Sequence, residues 1–315
     1  MNARLILRAD ADGTPEWLEQ RTKGIGGTDA AHLINGTKSR LALWREKTGE
    51  AEPEPVTPEV QARFDYGHSR EPELARIFTR RTGLRVRNTG TWAAKAEPWM
   101  LANPDRFVGS DGILEIKTTG PYTEAGKMWK AGQVPAHAWV QVHWYAHVTN
   151  RTRLWFIAEV DRQPIILGPF NRDEDLIATL VETTTAFWAS VTARQEPAPT
   201  APDDMKIAYP VSAEGKVVEI EPWSDTAADL DRIRLICARI KELQAEEKRL
   251  TAGVQAEMGD AEELTTTGGT VLATWKSTAP RRTLSKDALV DAGLDPEDYM
   301  RAGKPSRRFM LKEAN

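Results

Sequence analysis

The sequence predicts an α/β domain, a mixed central sheet flanked by helices, followed by a smaller α+β extension towards the C-terminus. Three observations carry this. Short runs rich in β-branched and aromatic residues (84–88, 91–94, 99–102, 106–109, 111–119, then 151–160 with 163–170) are interleaved with segments of helical periodicity, as in layered α/β folds. Residues 196–204 (EPAPTAPDD) place three prolines in nine positions and mark a linker. Beyond it the pattern changes to one long charged amphipathic helix, a glycine hairpin and a basic tail. The chain thus divides into residues 1–195, a linker 196–205, and residues 206–315.

With 315 residues and 40% hydrophobic content, the chain can bury a substantial core. No stretch approaches the roughly eighteen apolar residues of a membrane helix, and acidic residues interrupt MNARLILRADADG where a signal peptide would stay apolar, so a cytoplasmic protein with no membrane partner is expected. The single cysteine, Cys237, excludes an intrachain disulfide and a cysteine-based zinc site. A net charge of -4 argues against a general nucleic-acid coat but says nothing of local patches.

Residues 14–36 (TPEWLEQRTKGIGGTDAAHLING) read as a short helix bearing Trp17 and Arg21, a glycine turn, and a second helix capped by Thr28 or Asp29. Free N–H groups at such a helix start attract anions, and Arg21 with Lys23 would reinforce a phosphate there; an ordinary helix connection explains the residues equally well. Residues 39–49 continue as a helix with Leu41, Trp44 and Lys47 on one side, followed by the proline-rich loop EPEPVTP. Residues 58–82 form a long helix with a break near Gly67, whose second half places Glu71, Leu74, Ala75 and Phe78 on one face. A carboxylate on an apolar stripe points inward, so Glu71 either pairs with a nearby arginine or joins a metal site.

In the stretch 103–119 (NPDRFVGSDGILEIKTT), strand alternation puts Glu115 and Lys117 on one face and Leu114 and Ile116 on the other. As an isolated tripeptide ExK is most simply a surface ion pair. Crowded carboxylates beside a lysine also suit a hard divalent cation and an activated water. Residues 135–150 (PAHAWVQVHWYAHVTN) read as a helix with His137, Gln141 and Tyr145 on one stripe. His143 and His147 also stand four apart, but no third ligand accompanies them, and solvated or core histidines are the simpler reading. Residues 151–170 read as an antiparallel strand pair and 173–193 as the helix that closes the domain.

In the extension, residues 224–258 carry Ile233, Ile236, Ile240, Leu243, Leu250 and Val254 at alternating three and four spacing, interrupted at Glu247. Residues 264–276 (LTTTGGTVLATWK) form a hairpin. The basic tail carries Arg281, Arg282, Lys286, Arg301, Lys304, Arg307, Arg308 and Lys312, which is either a solvated face or a phosphate-tracking surface.

Taken together and in order, WLEQR with GIGGTDAA, GHSREPELA, NPDRFVG with LEIKTT, and PAHAWVQVHWY, spanning residues 17–145, resemble the YqaJ-like viral recombinase (phage lambda exonuclease) family of the PD-(D/E)xK nuclease superfamily. The resemblance implies a restriction-endonuclease-like core. It also implies two magnesium ions, with manganese as a substitute, held by Glu71, Asp105, Glu115 and the Ile116 carbonyl. Lys117 would position or activate the attacking water, Gln141 would orient that water or the scissile phosphate, and Glu115 would share in the catalysis. Arg21 and Thr28 fall where the family grips a 5′-terminal phosphate, with Gly27, Trp17 and His137 completing the DNA contacts. Arg106 and Phe107 depart from the glycine many members carry after the Pro-Asp pair. The implied activity is 5′-to-3′ digestion of linear double-stranded DNA to 3′ overhangs for recombination. The implied partners are DNA ends and a single-strand annealing protein, with the nuclease either a ring of copies or a monomer. An endonuclease on the same core and an inactive DNA-binding module are the rival readings.

Overall fold

The computed structural model describes residues 3–11, 13–51, 56–280, 285–300 and 307–311. They form two compact units, Met1–Ala208 and Tyr209–Asn315. Among them no helix is long and apolar enough to cross a membrane.

The first unit is built on a five-stranded mixed sheet, and its order follows from the alternating patterns. Strand β1 (Ala3–Arg8), helices α1 (Pro15–Thr22), α2 (Gly27–Asn35), α3 (Arg40–Thr48) and α4 (Pro58–Thr82) come first. Then follow β2 (Val86–Asn88), β3 (Gly90–Ala94), β4 (Leu101–Ala102), β5 (Arg106–Val108), β6 (Gly112–Thr119), α5 (Glu124–Lys130) and α6 (Ala136–Thr149). Strands β7 (Arg153–Val160) and β8 (Gln163–Asn171) and helices α7 (Glu174–Thr192) and α8 (Pro202–Ala208) complete it. The main sheet runs β2-β5-β6-β7-β8, and β1-β3-β4 make a second, antiparallel sheet. Only β6 and β7 pair in parallel within the main sheet, from Gly112↔Arg153 to Thr119↔Val160. A parallel pair needs a crossover, and α5 and α6 provide it.

The two faces of β6 are buried differently. Leu114 and Ile116 pack with Val108 and Ile157 under Leu74, Ala75 and Phe78 of α4. Ile113 packs on the opposite face with Phe156, Trp129, Val140, Trp144 and Phe187, so Glu115 and Lys117, which alternate with it, face α6.

Four sequence expectations change. Helix α4 runs unbroken through Gly67 and Pro72, because the packing of Leu74, Ala75 and Phe78 outweighs the roughly 1 kcal/mol a mid-helix glycine costs. Helix α2 begins two residues early, with Gly26 as N-cap and the Asp29 carboxylate accepting its N–H at 2.9 Å, so Thr28 lies inside the first turn. Residues 196–205 are no free linker: Arg45 grips Glu196 at 2.7 Å, and the buried Asp204 carboxylate accepts the Thr200 and Ala201 N–H groups at the start of α8. The boundary therefore falls after Ala208. Strand β1 and helix α5 had no counterpart in the sequence reading; β1 pairs with β3 from Ala3↔Ala94 to Arg8↔Gly90.

In the second unit, Ser224 caps the 34-residue helix α9 (Asp225–Met258), and β9 (Glu263–Thr265) pairs with β10 (Val271–Thr274) across the Gly268-Gly269 turn. A cavity of about 530 Å³ lies between them, lined by Leu243, Leu250, Val254, Met258, Ala273 and Trp275. Helix α10 (Lys286–Asp291) and a 3-10 turn (Pro296–Tyr299) follow. Of the basic tail, Arg281, Arg282, Arg301, Lys304 and Lys312 lie outside the described residues, as do positions 52–55 of the proline-rich loop.

One contact sets the spacing between α2 and α6. A Cβ on Gly27 would stand 2.5 Å from the Tyr145 ring and 2.8 Å from Gln141 Cγ, so only glycine fits without moving α6. Gly27→Ala is expected to destabilise the domain by about 1–3 kcal/mol through overpacking, read as a lowered urea midpoint at unchanged m-value. Phe78→Ala, which empties the space under α4, is expected to cost about 3–5 kcal/mol in the same assay.

Candidate active site

Strand β6 carries the chemistry because its α6 face switches from apolar to charged at Glu115. Glu115 is 1% exposed, and its Oε1 accepts from Lys117 Nζ at 2.7 Å. Lys117 Nζ also donates to Gln141 Oε1 at 3.1 Å, and Gln141 Nε2 donates to the Tyr145 hydroxyl at 2.8 Å. The predicted stripe of α6 thus lies against the predicted strand. His137, one turn earlier on α6, packs edge-on against His32 with ring centroids 5.5 Å apart. Burial, then the neighbouring Lys117 charge, pushes its pKa down to about 4, so it is neutral at pH 7.

Asp105, immediately before β5, places Oδ2 2.6 Å from the Ile116 backbone nitrogen. Strand β5 pairs with β6 only as far as Leu114, so the next backbone edge on that side, at Ile116, is open to Asp105. In a strand a residue's N–H and C=O share an edge, and the Ile116 carbonyl therefore faces the same space. Glu71 enters from α4. Its Oε2 stands 3.5 Å from Arg106 Nη1, which also donates to the Asp105 carbonyl at 2.6 Å. Of the two readings for Glu71, the arginine contact is present, and it comes from the position that departs from the family pattern; Arg70, on its own helix, pairs with Glu159 at 2.8 Å.

The electrostatics suit a cation. Burial first, and then the Asp105 charge, push the Glu115 pKa up to about 8 against the pull of Lys117. Burial alone would lower Lys117, but Glu115 and Asp105 outweigh it and hold the ammonium charged. The second oxygen of Glu115, Oε2, is buried with no hydrogen-bond partner among the described residues. Once Glu115 ionises, that oxygen becomes a buried acceptor whose lack of a partner is costly, and a hard cation relieves the cost and favours the ionised form. Among the described residues no three His, Cys, Asp or Glu groups gather tightly enough to enclose an ion alone. A cation here would take Asp105, Glu115 and the Ile116 carbonyl as ligands, with Glu71 at the rim and the remaining positions left to water or substrate. The donor set is all oxygen and fits magnesium or manganese.

A cleft of about 350 Å³ joins this centre to the glycine turn. Trp17, Arg21, Gly27, Thr28, Glu71, Asp105 and Gln141 line it, whereas Glu115, Ile116, Lys117 and His137 do not, so the cleft meets the centre through Glu71, Asp105 and Gln141. The turn is pinned from behind: Ile25 exchanges backbone hydrogen bonds with Trp99 and Leu101, and the Trp144 indole N–H lies within reach of the Ile25 and Leu101 carbonyls. The Arg21 guanidinium lies 4.7 Å from the Trp17 ring centroid, stacked on its face. Lys23 is instead engaged by Glu19 at 2.7 Å and does not line the cleft.

Sequence reasoning missed Arg8, His68, Asn88 and Asn103 in the cleft wall. It also missed the role of Lys47, whose Nζ bonds the Asp29 carboxylate at 2.6 Å and the Arg21 carbonyl at 2.7 Å. Asn103 opens the motif that supplies Asp105, and His68 stands one turn before Glu71 in GHSREPELA, so both could have been found there; the others carry no local signal.

Comparison with known proteins gives the family. The model of the "YqaJ-like viral recombinase domain" matches residues 16–152. "Uncharacterized protein YqaJ" of Bacillus subtilis (strain 168) is 31% identical over 99% of this chain and 98% of its own length. Two solved structures share lower similarity. An alkaline exonuclease (LHK-Exo) from Laribacter hongkongensis has a TM-score of 0.47 and 22% identity, covering 57% of this chain and 94% of that one. A phage related exonuclease from Haemophilus somnus 129PT has a TM-score of 0.37 and 12% identity, covering 59% and 93%. The near-complete match to the Bacillus protein and the match across every site element from α1 to α6 establish that the chain belongs to the YqaJ-like viral recombinase family.

Proposed function

We propose that the protein is a metal-dependent 5′-to-3′ exonuclease of linear double-stranded DNA, leaving 3′ single strands for recombination. The carrying observation is one cleft whose wall holds Glu71, Asp105 and Gln141, the last bonded to the Lys117–Glu115 pair, together with Arg21, Gly27 and Thr28 at the glycine turn, which we read as a cation centre and an anion pocket. Simple hydrolysis of an internal phosphodiester needs only the first; a second anion pocket a short way along the same cleft suits a strand terminus.

When bound, one magnesium ion or a pair would acidify water and neutralise charge on the scissile phosphate. The chain's own groups do the rest. Lys117, kept charged by Glu115, presents its ammonium beside the carboxylates, where it holds the attacking water or a phosphate oxygen. Gln141 fixes Lys117 through its carbonyl and is itself fixed by Tyr145. The N–H groups at the start of α2, with Thr28 and Arg21, receive the 5′-phosphate and set the register of each cut. Trp17 orients Arg21 and offers a face to the terminal base. The product overhang would pass to a single-strand annealing protein.

The test uses one duplex sequence as a 5′-phosphorylated linear fragment and as a covalently closed circle, with and without magnesium. The linear form should be shortened from its 5′ ends only with the metal, and the circle should survive. Efficient cutting of the circle would make the protein an endonuclease, and binding without hydrolysis of either form would make it an inactive DNA-binding module. Lys117→Ala should lower kcat by about 10²–10⁴-fold, the range for loss of a proton-transfer group, while duplex affinity in EDTA stays near wild type. Wild-type turnover by that variant would remove Lys117 from the mechanism.

A further inference from the structure

The contact between Lys47 and Asp29 joins three helices at the anion pocket. Lys47 comes from the last turn of α3, and both side chains are buried, at 4% and 8% exposure. Asp29 Oδ2 accepts from Lys47 Nζ at 2.6 Å and from the Gly26 N–H at 2.9 Å, which fixes the start of α2. The same Nζ donates to the Arg21 carbonyl at 2.7 Å, which fixes the end of α1. One ammonium therefore sets where the Arg21 guanidinium lies relative to the N–H groups of Gly27 and Thr28.

Charge gives the contact a second consequence. A carboxylate at the third position of α2 favours the helix dipole, but it would repel a phosphate seated at the same terminus. Lys47 cancels that charge at hydrogen-bond distance. We propose that Lys47 is a positioning residue for recognition of the 5′-phosphate, neutralising Asp29 and holding Arg21 against the start of α2. The inference rests on the end-recognition reading above and adds to it residues that do not themselves touch the DNA.

The experiment measures, in EDTA and so without hydrolysis, the ratio of affinities for blunt duplexes ending in 5′-phosphate and 5′-hydroxyl, by fluorescence anisotropy. Arg21→Ala sets the scale, since it should erase the preference. Lys47→Met, which exposes the anion pocket to an uncompensated carboxylate, should lower the ratio about tenfold while leaving affinity for 5′-hydroxyl ends near wild type. Asp29→Asn keeps an oxygen for the Gly26 N–H and removes the repelling charge, so it should raise the ratio. The double variant should recover part of what Lys47→Met loses. A purely structural role predicts that both single variants lower the ratio together with thermal stability; that result, or an unchanged ratio in Lys47→Met, overturns the proposal. Should Lys47→Met fail to fold, Asp29→Asn decides alone, with an unchanged or lowered ratio against the proposal. A wild-type protein with no preference for 5′-phosphate removes end recognition itself and this inference with it. A wild-type preference that survives in Lys47→Met removes only the inference.

Discussion

The burial of Glu115 in the middle of the main sheet is the constraint around which the first unit is arranged. Taking a carboxylate out of water costs several kcal/mol unless partners replace the solvent. Here one oxygen has Lys117 and the other has no hydrogen-bond partner among the described residues, while Asp105 adds negative charge nearby. The alternate face of the same strand offsets this. Leu114 and Ile116 are sealed under α4, and the full parallel register with β7 holds the backbone in place. The charged face is thus held by the apolar one, which is why the strand can keep an electrostatically unfavourable group buried.

Helix α6 connects the two ends of the cleft. Gln141 reaches Lys117 on one side, and on the other Gln141 and Tyr145 press against the bare Cα of Gly27. Trp144, on the neighbouring stripe, reaches the carbonyls that brace the glycine turn. Movement of α6 would therefore be felt at Lys117 and at the glycine turn together. The cavity in the second unit, although larger, is lined mostly by apolar side chains of α9 and the hairpin and contains none of these groups.

How much of this could be read from sequence depended on whether the information was local. The inward stripes of α4 and α6, the face alternation of β6 and the antiparallel β7–β8 pair all follow from periods of 3.6 and 2, and the structure has them. The cap of α2 was misplaced because Gly26 has no side chain to advertise the role, and Asp29 caps it from inside the helix. Strand β1 was missed because its partner, β3, lies some ninety residues away. Lys47 was assigned a helix face but no role, since eighteen residues separate it from Asp29 and only the folded chain shows the bond. Glu71 was left open between arginine and metal, and the arginine turned out to be Arg106 from a different element.

The charges around the cleft show how a site can hold clustered carboxylates and still attract a polyanion. Glu71 is matched by Arg106, Glu115 by Lys117 and Asp29 by Lys47, each at 3.5 Å or less. Close pairing keeps the field of each carboxylate short-ranged, because a dipole's potential falls faster than a charge's and surrounding salt screens what remains. Arg21, by contrast, stacks on an uncharged indole, and its positive charge projects into the cleft beside the N-terminus of α2. A phosphate that enters the cleft therefore meets, at the α2 end, a guanidinium lying on an indole rather than on a carboxylate.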